Sequence, residues 1–224
     1  MAVDTSGTSK FRITVIPADE DGCRFFLEQY RPFRLASLQQ DAHAFGSTYA
    51  REIRFDDEAW LGRIRNPSAT TFAAVQSHDN RVVASTSLIG PLPNDNPASN
   101  PYQVVSEVMA GSGTVHNNKN SNASGEGTEP LYFQMSAVYT SPETRGQGLA
   151  KSLIKAATEE AHNRARGQGR PLVLSVVVYA ANSAAISVYE RCGFVRSTEE
   201  PKLVFNVFKN SSEKELNMYF QGDS

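Results

Sequence analysis

Cysteine is scarce in this sequence of 224 residues, which contains only Cys23 and Cys192. Two cysteines far apart in the chain are too few for a disulfide framework or a zinc site. The four histidines show no metal-ligand spacing either. We therefore predict no metal, and a buried, inert thiol is the default interpretation of Cys192.

Long apolar runs and an excess of charge are also lacking. No stretch approaches the ~20 apolar residues of a transmembrane helix, and the polar first ten residues lack the apolar region of a secretion signal. The formal net charge is −2, from 22 Lys and Arg against 24 Asp and Glu. This balance argues against general affinity for nucleic acids or membrane surfaces. We expect a cytoplasmic protein without a nucleic-acid or membrane partner.

The chain is long enough to bury a good core as one domain, since 40% of its residues are hydrophobic. We expect residues 1–10 to be disordered and residues 11–222 to form a single domain. Residues 90–130 are rich in Pro, Asn, Ser and Gly. This composition predicts a long mobile insert within the domain.

Hydrophobic periodicity predicts a mixed α/β chain. Three helical segments before residue 65 are expected to pack on one face of a sheet, with a kink or break at Pro32 in the first. The predicted strands lie at 11–18, 71–76, 81–89, 131–140, 171–179, 194–197, 203–208 and 215–221. Two further helices are predicted at about 146–166 and 182–191.

The passage from the predicted strand at 131–140 into the helix beyond it is typical of an anion site. Pro142 ends the strand, and a turn with two glycines, Gly146 and Gly148, opens the helix. A helix start offers unpaired backbone N–H groups and a positive dipole end, which together hold phosphate oxygens. Glycines allow the main chain to approach a ligand closely.

The spacing of the residues in this turn decides which of the known nucleotide-binding motifs it fits. The phosphate loop G-x-x-x-x-G-K-[ST] does not fit, because Arg145 and Ala150 stand where its glycines belong. The dinucleotide fingerprint does not fit either, because Lys151 occupies its third glycine position. The pattern [QR]-x-x-G-x-[GA] fits with Arg145, Gly148 and Ala150. It resembles the acetyl-CoA diphosphate motif of the GNAT superfamily of N-acetyltransferases.

A second motif lies further along the chain. Asn182 and Tyr189 are seven residues apart, about two helical turns, so they share a helix face with Ala185. With Gly193 and Phe194, this segment resembles the GNAT pattern N-x-x-A-x-x-x-Y-x-x-x-G-F. The combined resemblance spans roughly residues 131–195, and residues 34–46 more loosely resemble the substrate-side helices of the superfamily.

Membership of this superfamily implies a GNAT-like acyl-CoA acyltransferase fold. Its α/β architecture has a central mixed sheet of six to seven strands, flanked by helices and splayed between the fourth and fifth strands. The implied activity is direct transfer of acetyl from acetyl-CoA, the cosubstrate, to an amine in a ternary complex without a metal. By the same analogy, a homodimer formed through edge strands is expected.

The resemblance also implies which residues hold the cofactor. The pantetheine arm would enter beside the strand, the N–H of Val138 would face the thioester carbonyl, and the amides of residues 145–150 would bind the diphosphate. Arg145 and Lys151 would add positive charge. The implied set is Val138, Tyr139, Thr140, Arg145, Gly146, Gln147, Gly148, Leu149, Ala150, Lys151, Asn182, Ala185 and Tyr189.

The implied catalytic residues are Tyr189, Val138 and Ser136. A phenol with a pKa near 10 is close to an alkyl thiol, so Tyr189 suits protonation of the departing thiolate. The alternative is an amphipathic core tyrosine bonded to backbone, which helical spacing alone would favour.

The general base stays open. Gln134, Ser136 and Val138 are predicted to alternate onto one strand face, and the first two fall where some family members place a base. Neither is basic. The alternatives are a water relay through Ser136 or a carboxylate such as Glu107 or Glu52, for each of which a solvated surface charge is the default interpretation.

The acceptor is expected to be the primary amine of a small molecule. Two alternatives remain, namely a protein or peptide amine, and a non-catalytic sensor that binds acyl-CoA without turnover.

Overall fold

The computed structural model describes residues 10–92 and 129–222. Predictions for residues 1–9 and for residues 93–128 of the insert, including Glu107, lie outside the described residues. The first part contains β1 (Phe11–Val15), α1 (Glu20–Phe25), a π-helical turn (Phe26–Tyr30), α2 (Arg31–Gln40), a 3₁₀ turn (Ala42–Ala44), α3 (Tyr49–Glu52), α4 (Asp57–Ile64), β2 (Ala69–Gln76) and β3 (Val82–Leu92). The second contains β4 (Leu131–Thr140), a 3₁₀ turn (Pro142–Thr144), α5 (Leu149–Gly167), β5 (Leu172–Tyr179), α6 (Ser183–Glu190), β6 (Phe194–Arg196), β7 (Lys202–Asn206) and β8 (Ser211–Phe220).

The strands form one mixed sheet of eight strands in the order β1-β2-β3-β4-β5-β8. β6 and β7 both pair with β8, at its end and its start respectively. Every pair is antiparallel except β4 with β5. The predicted mixed sheet is confirmed, and it has eight strands because β6 and β7 pair with β8 as separate strands.

Two apolar cores lie on opposite faces of the sheet. One core joins α5 and α6 to the sheet and contains Leu153, Phe133 and Met135. The other packs the helices of residues 20–64 against the sheet and contains Trp60 and Tyr139. Because alternate residues of a strand point to opposite faces, one strand such as β4 supplies side chains to both cores.

The first helical segment continues through the predicted break. Asp19 caps α1 by accepting a hydrogen bond from the N–H of Gly22 at 2.8 Å. Residues 26–30 then form a π-helical turn, and Pro32 lies in the first turn of α2. A proline lacks the N–H that a helix interior requires, so the irregularity appears as a change of helix type rather than an interruption.

β4 separates from β5 midway along its length. The parallel pairing runs from Leu131–Leu172 to Met135–Val176, after which β5 remains paired with β8 through Tyr179. The two strands are therefore splayed where the resemblance predicted.

β4 contains a β-bulge at Ala137, which makes one prediction about the side chains of this strand wrong. Ala137 has φ +54°, and the pairing with β3 shifts by one residue around it. The extra residue reverses the alternation of side chains. Val138 consequently packs against the core of α5 and α6, whereas Tyr139 lies in the opposite core. The prediction that Val138 shares a face with Gln134 and Ser136 is wrong.

A buried ion network joins three helices, α2, α3 and α4. Glu52 of α3 is fully buried. Its carboxylate accepts hydrogen bonds from Arg34 of α2 at 2.9 and 3.2 Å and from Arg63 of α4 at 2.9 Å. Burial would raise the pKa of Glu52, but the two guanidinium groups lower it to about 2. A carboxylate held in this way is a poor proton acceptor, so the geometry argues against Glu52 as the general base.

Glu52→Gln is expected to lower the free energy of unfolding at pH 7 by about 3 kcal/mol, because Arg34 stays buried without its counter-charge. The lowered pKa means that the stabilisation is complete above about pH 4.5 and is lost as the pH falls towards 2. The difference between wild type and variant should therefore shrink in urea titrations repeated at about pH 3.

Glu58→Gln is the matched control, since Glu58 is 79% exposed and its ion pair with Arg65 spans 3.4 Å. It should change stability by less than about 0.5 kcal/mol. Equal stability of the two variants at pH 7 would contradict the role assigned to the network.

Candidate active site

The turn between β4 and α5 leaves backbone donors facing outward. Gly146 and Gly148 both have φ +76°, a conformation that L side chains rarely adopt. Gly148 is the N-cap of the 19-residue α5 and supplies no side-chain cap to it. A Cβ at either glycine would meet no atom within 4 Å. The first N–H groups of α5 are therefore accessible to an anion, and the helix dipole favours one there.

A cavity of about 600 Å³ extends from this turn to α6. It is lined by every predicted cofactor-binding residue except Gln147, whose side chain is exposed. The remaining lining residues are Asp41, His43, Ala44, Thr144, Ala184, Val188, Arg191 and Cys192. We call this space the first cavity.

Asp41 connects the end of α2 to the glycine turn. Its Oδ2 accepts hydrogen bonds from Tyr139 Oη at 2.7 Å and from Arg145 Nη2 at 2.6 Å. Arg145 also donates to the carbonyl of Thr140 at 3.1 Å. These contacts orient the arginine side chain beside the turn where the diphosphate is predicted to bind.

The same contacts shift two pKa values in opposite directions. Burial would raise the pKa of Asp41, but the hydrogen bonds from Tyr139 and Arg145 bring it below its ordinary value. Burial, and then the bond to Asp41, raise the pKa of Tyr139. At neutral pH the tyrosine is therefore a protonated donor and the aspartate an ionised acceptor, which keeps the contact intact.

A second cavity of about 100 Å³ lies where β4 and β5 separate. It shares five lining residues with the first cavity, namely Ala44, Val138, Asn182, Ala185 and Tyr189. Its other lining residues are Phe45, Gly46, Gln134, Met135, Ser136, Ala137, Val177, Val178 and Tyr179. Ser136, predicted as a catalytic residue, lines only this second cavity.

Tyr189 lies between the two cavities. It is 6% exposed, and its ring packs edge-on against Phe194 with 5.7 Å between centroids. Asn182 lies at the start of the same helix, where its side-chain oxygen caps α6 by accepting from Ala185 N at 3.1 Å. Asn182, Val138 and Tyr189 all line both cavities.

Several lining residues were missed by the sequence analysis. Val188 and Cys192 follow Ala185 and Tyr189 at helical spacing, so the periodicity of α6 could have identified them. Asp41 is 104 residues away from Arg145 in the chain. Without a motif at the end of α2, no sequence signal could have linked the two.

Within residues 10–92 and 129–222, no three His, Cys, Asp or Glu side chains are grouped so that they could hold a metal ion. None of the helices there is long and apolar enough to cross a membrane.

Comparison with known protein families agrees with the site described above. Residues 34–194 match the model of the acetyltransferase (GNAT) family. A search of curated proteins with this sequence finds no match.

Solved structures resemble the fold at low sequence identity. Spermidine N-acetyltransferase from Vibrio cholerae, in complex with CoA and spermine, has a TM-score of 0.53 and 14% identity over 95% of this chain and 96% of its own. NAA60 from Arabidopsis thaliana, in complex with a bisubstrate analogue, has a TM-score of 0.54 and 15% identity over 93% and 98%. The yncA protein from Salmonella typhimurium, with acetyl-CoA, has a TM-score of 0.53 and 17% identity over 95% of each chain.

The family match covers more than half of the chain and includes the glycine turn, both cavities and α6. The chain therefore belongs to the acetyltransferase (GNAT) family.

Proposed function

We propose that this protein transfers an acetyl group from acetyl-CoA to the primary amine of a small molecule, by direct attack in a ternary complex. The observation that carries the proposal is the continuity of the first cavity from the uncapped start of α5 to Tyr189. It can accommodate a long ligand with a diphosphate at one end and a reacting thioester at the other. Family membership and the CoA-bound structural relatives support this choice of donor.

The donor site follows from the residues of the first cavity. The N–H groups of residues 145–150 bind the diphosphate, while Arg145, oriented by Asp41, and Lys151 add positive charge. The pantetheine arm runs beside β4 at Val138 and Thr140. The N–H of Val138, next to the bulge at Ala137, faces the thioester carbonyl and stabilises the negative charge that develops on its oxygen.

The reaction itself exchanges one bond for another. The neutral amine nitrogen forms a bond to the carbonyl carbon, and the bond from this carbon to sulfur breaks. Tyr189 donates its proton to the departing thiolate. The amine loses its proton to a water relay through Ser136 of the second cavity. The phenolate of Tyr189 regains a proton from solvent.

Two measurements test the proposal. Calorimetry should detect binding of acetyl-CoA to the purified protein, and a panel of amines should include acceptors that release the free thiol of coenzyme A. Absence of acetyl-CoA binding would remove the proposed function.

A peptide or protein amine is the second candidate acceptor, favoured by the similarity to NAA60 in complex with a bisubstrate analogue. Thiol release with peptides but not with polyamines, amino acids or amino sugars would select it. A protein that binds acetyl-CoA but releases no thiol with any amine would instead be a non-catalytic sensor.

Gly148→Val is expected to abolish acetyl-CoA binding, because the valine side chain would occupy the accessible side of the turn where the diphosphate lies. Gly169→Val is the matched control, since Gly169 has φ +61° with no atom within 4 Å of its Cβ position and lies outside both cavities. Both variants carry similar backbone strain, about 1–2 kcal/mol. Equal acetyl-CoA affinity in calorimetry would contradict the assignment of the turn.

Tyr189→Phe is expected to reduce kcat by roughly 10²- to 10⁴-fold, the range for loss of a general acid, with acetyl-CoA affinity nearly unchanged. Tyr30→Phe removes a phenol hydroxyl from the opposite core, outside both cavities, and should leave kcat unchanged. Turnover of Tyr189→Phe at the wild-type rate would exclude the tyrosine as the acid.

A further inference from the structure

The side chain of Gln134 is fully buried, yet its polar groups have no partner among the described residues. Its relative exposure is 0%, and neither Oε1 nor Nε2 has a hydrogen-bond partner within the described ranges 10–92 and 129–222. A buried amide without partners destabilises a fold, so such groups are ordinarily satisfied. The hydrogen-bonding capacity of this amide is therefore unused within those ranges.

The position of Gln134 indicates which ligand can reach it. It lies between Phe133 and Met135, which both pack into the core of α5 and α6, so its own side chain projects from the opposite face of β4. Its register partner on β5 is Ser175, one pair before the strands separate. Gln134 lines the second cavity, and Val138 and Tyr189 line the same cavity from the opposite face of β4.

The chemistry of this cavity favours an uncharged polar group. All of the described residues that line it are uncharged at neutral pH, and the hydroxyl of Tyr179 already donates to the carbonyl of Phe45 at 3.4 Å. A glutamine amide offers one acceptor oxygen and two N–H donors. An ammonium group would satisfy only the oxygen and would lack a counter-charge. A carboxamide, by contrast, pairs with both ends of the glutamine.

We propose that Gln134 is a specificity-determining residue that hydrogen-bonds a carboxamide adjacent to the reacting amine. The preferred acceptors are then small α-amino amides rather than alkylamines or polyamines. This inference rests on the proposed acetyl transfer. The selectivity has a physical source, because an acceptor without the carboxamide leaves the buried Gln134 amide unpaired in the complex.

The test compares glycinamide, propylamine and putrescine as acceptors for wild type and Gln134→Met. Methionine keeps the length of the side chain but cannot form the hydrogen bonds. The variant should lower the ratio of kcat/KM for glycinamide to that for propylamine by roughly 10-fold, mainly through KM for glycinamide. Measuring all enzymes at one pH cancels the difference in amine protonation. An unchanged ratio would overturn the proposal.

Gln76→Met is the matched control, because Gln76 is 7% exposed, accepts hydrogen bonds from Arg81 at 2.9 and 3.1 Å and lies outside both cavities. Its selectivity ratio should equal that of wild type, and its Tm should fall. The Tm of Gln134→Met should instead rise by roughly 2–4 °C, since an unpaired buried amide is replaced by an apolar group. A fall would show that the amide is bonded within the fold and would overturn the proposal.

Calorimetry with acetyl-CoA distinguishes failure of the proposed function from failure of the role assigned to Gln134. A wild-type protein that does not bind acetyl-CoA contradicts the proposed function. One that binds it and acetylates propylamine or putrescine as efficiently as glycinamide contradicts only the role of Gln134. Binding of acetyl-CoA without acetylation of any of the three amines likewise overturns that role.

Discussion

The separation of β4 from β5 is the constraint on which the rest of the site depends. Beyond Met135–Val176, the strand pairing among the described residues continues on the outer edges, β4 with β3 at Ala84–Thr140 and β5 with β8 at Tyr179–Glu215. The inner edges diverge without loss of either strand. Both cavities meet beside this gap, where they share Val138 and Tyr189 as lining residues.

The bulge at Ala137 determines which side chains of β4 face each core. One extra residue rotates the strand, so that Val138 turns towards α6 while Tyr139 turns towards α2. The carbonyl of Ser136 accepts a hydrogen bond from the Thr86 hydroxyl at 3.0 Å, which supports the backbone where the ladder is irregular. Tyr139 then bonds to Asp41, which orients Arg145 at the far end of the first cavity. A single irregularity thereby affects Val138 at the gap and, through Tyr139 and Asp41, Arg145 beside the glycine turn.

Sequence patterns predicted the features that arise from neighbouring residues. The glycine turn, the helix after it and the face of α6 with Asn182, Ala185 and Tyr189 are local, and the structure places all of them around one cavity. Features that depend on contacts across the fold could not be predicted. The bulge occurs at an alanine with positive φ, for which no sequence signal exists, and Asp41 reaches Arg145 only through the packing of α2 on the sheet. The buried state of Glu52 likewise depends on two arginines from other helices.

Glu52 and Gln134 are both buried polar side chains, but they differ in their hydrogen bonding. Both oxygens of Glu52 are paired with guanidinium groups, so the carboxylate connects α2, α3 and α4 and is unavailable for chemistry. Gln134 is equally buried but has no partner within residues 10–92 and 129–222. The first arrangement contributes stability, whereas the second lowers it. A fold retains a destabilising group where activity requires one, and in this sheet that place is the gap between β4 and β5. Glu52 lines neither cavity, whereas Gln134 lines the second one, where the proposed acceptor would contact it.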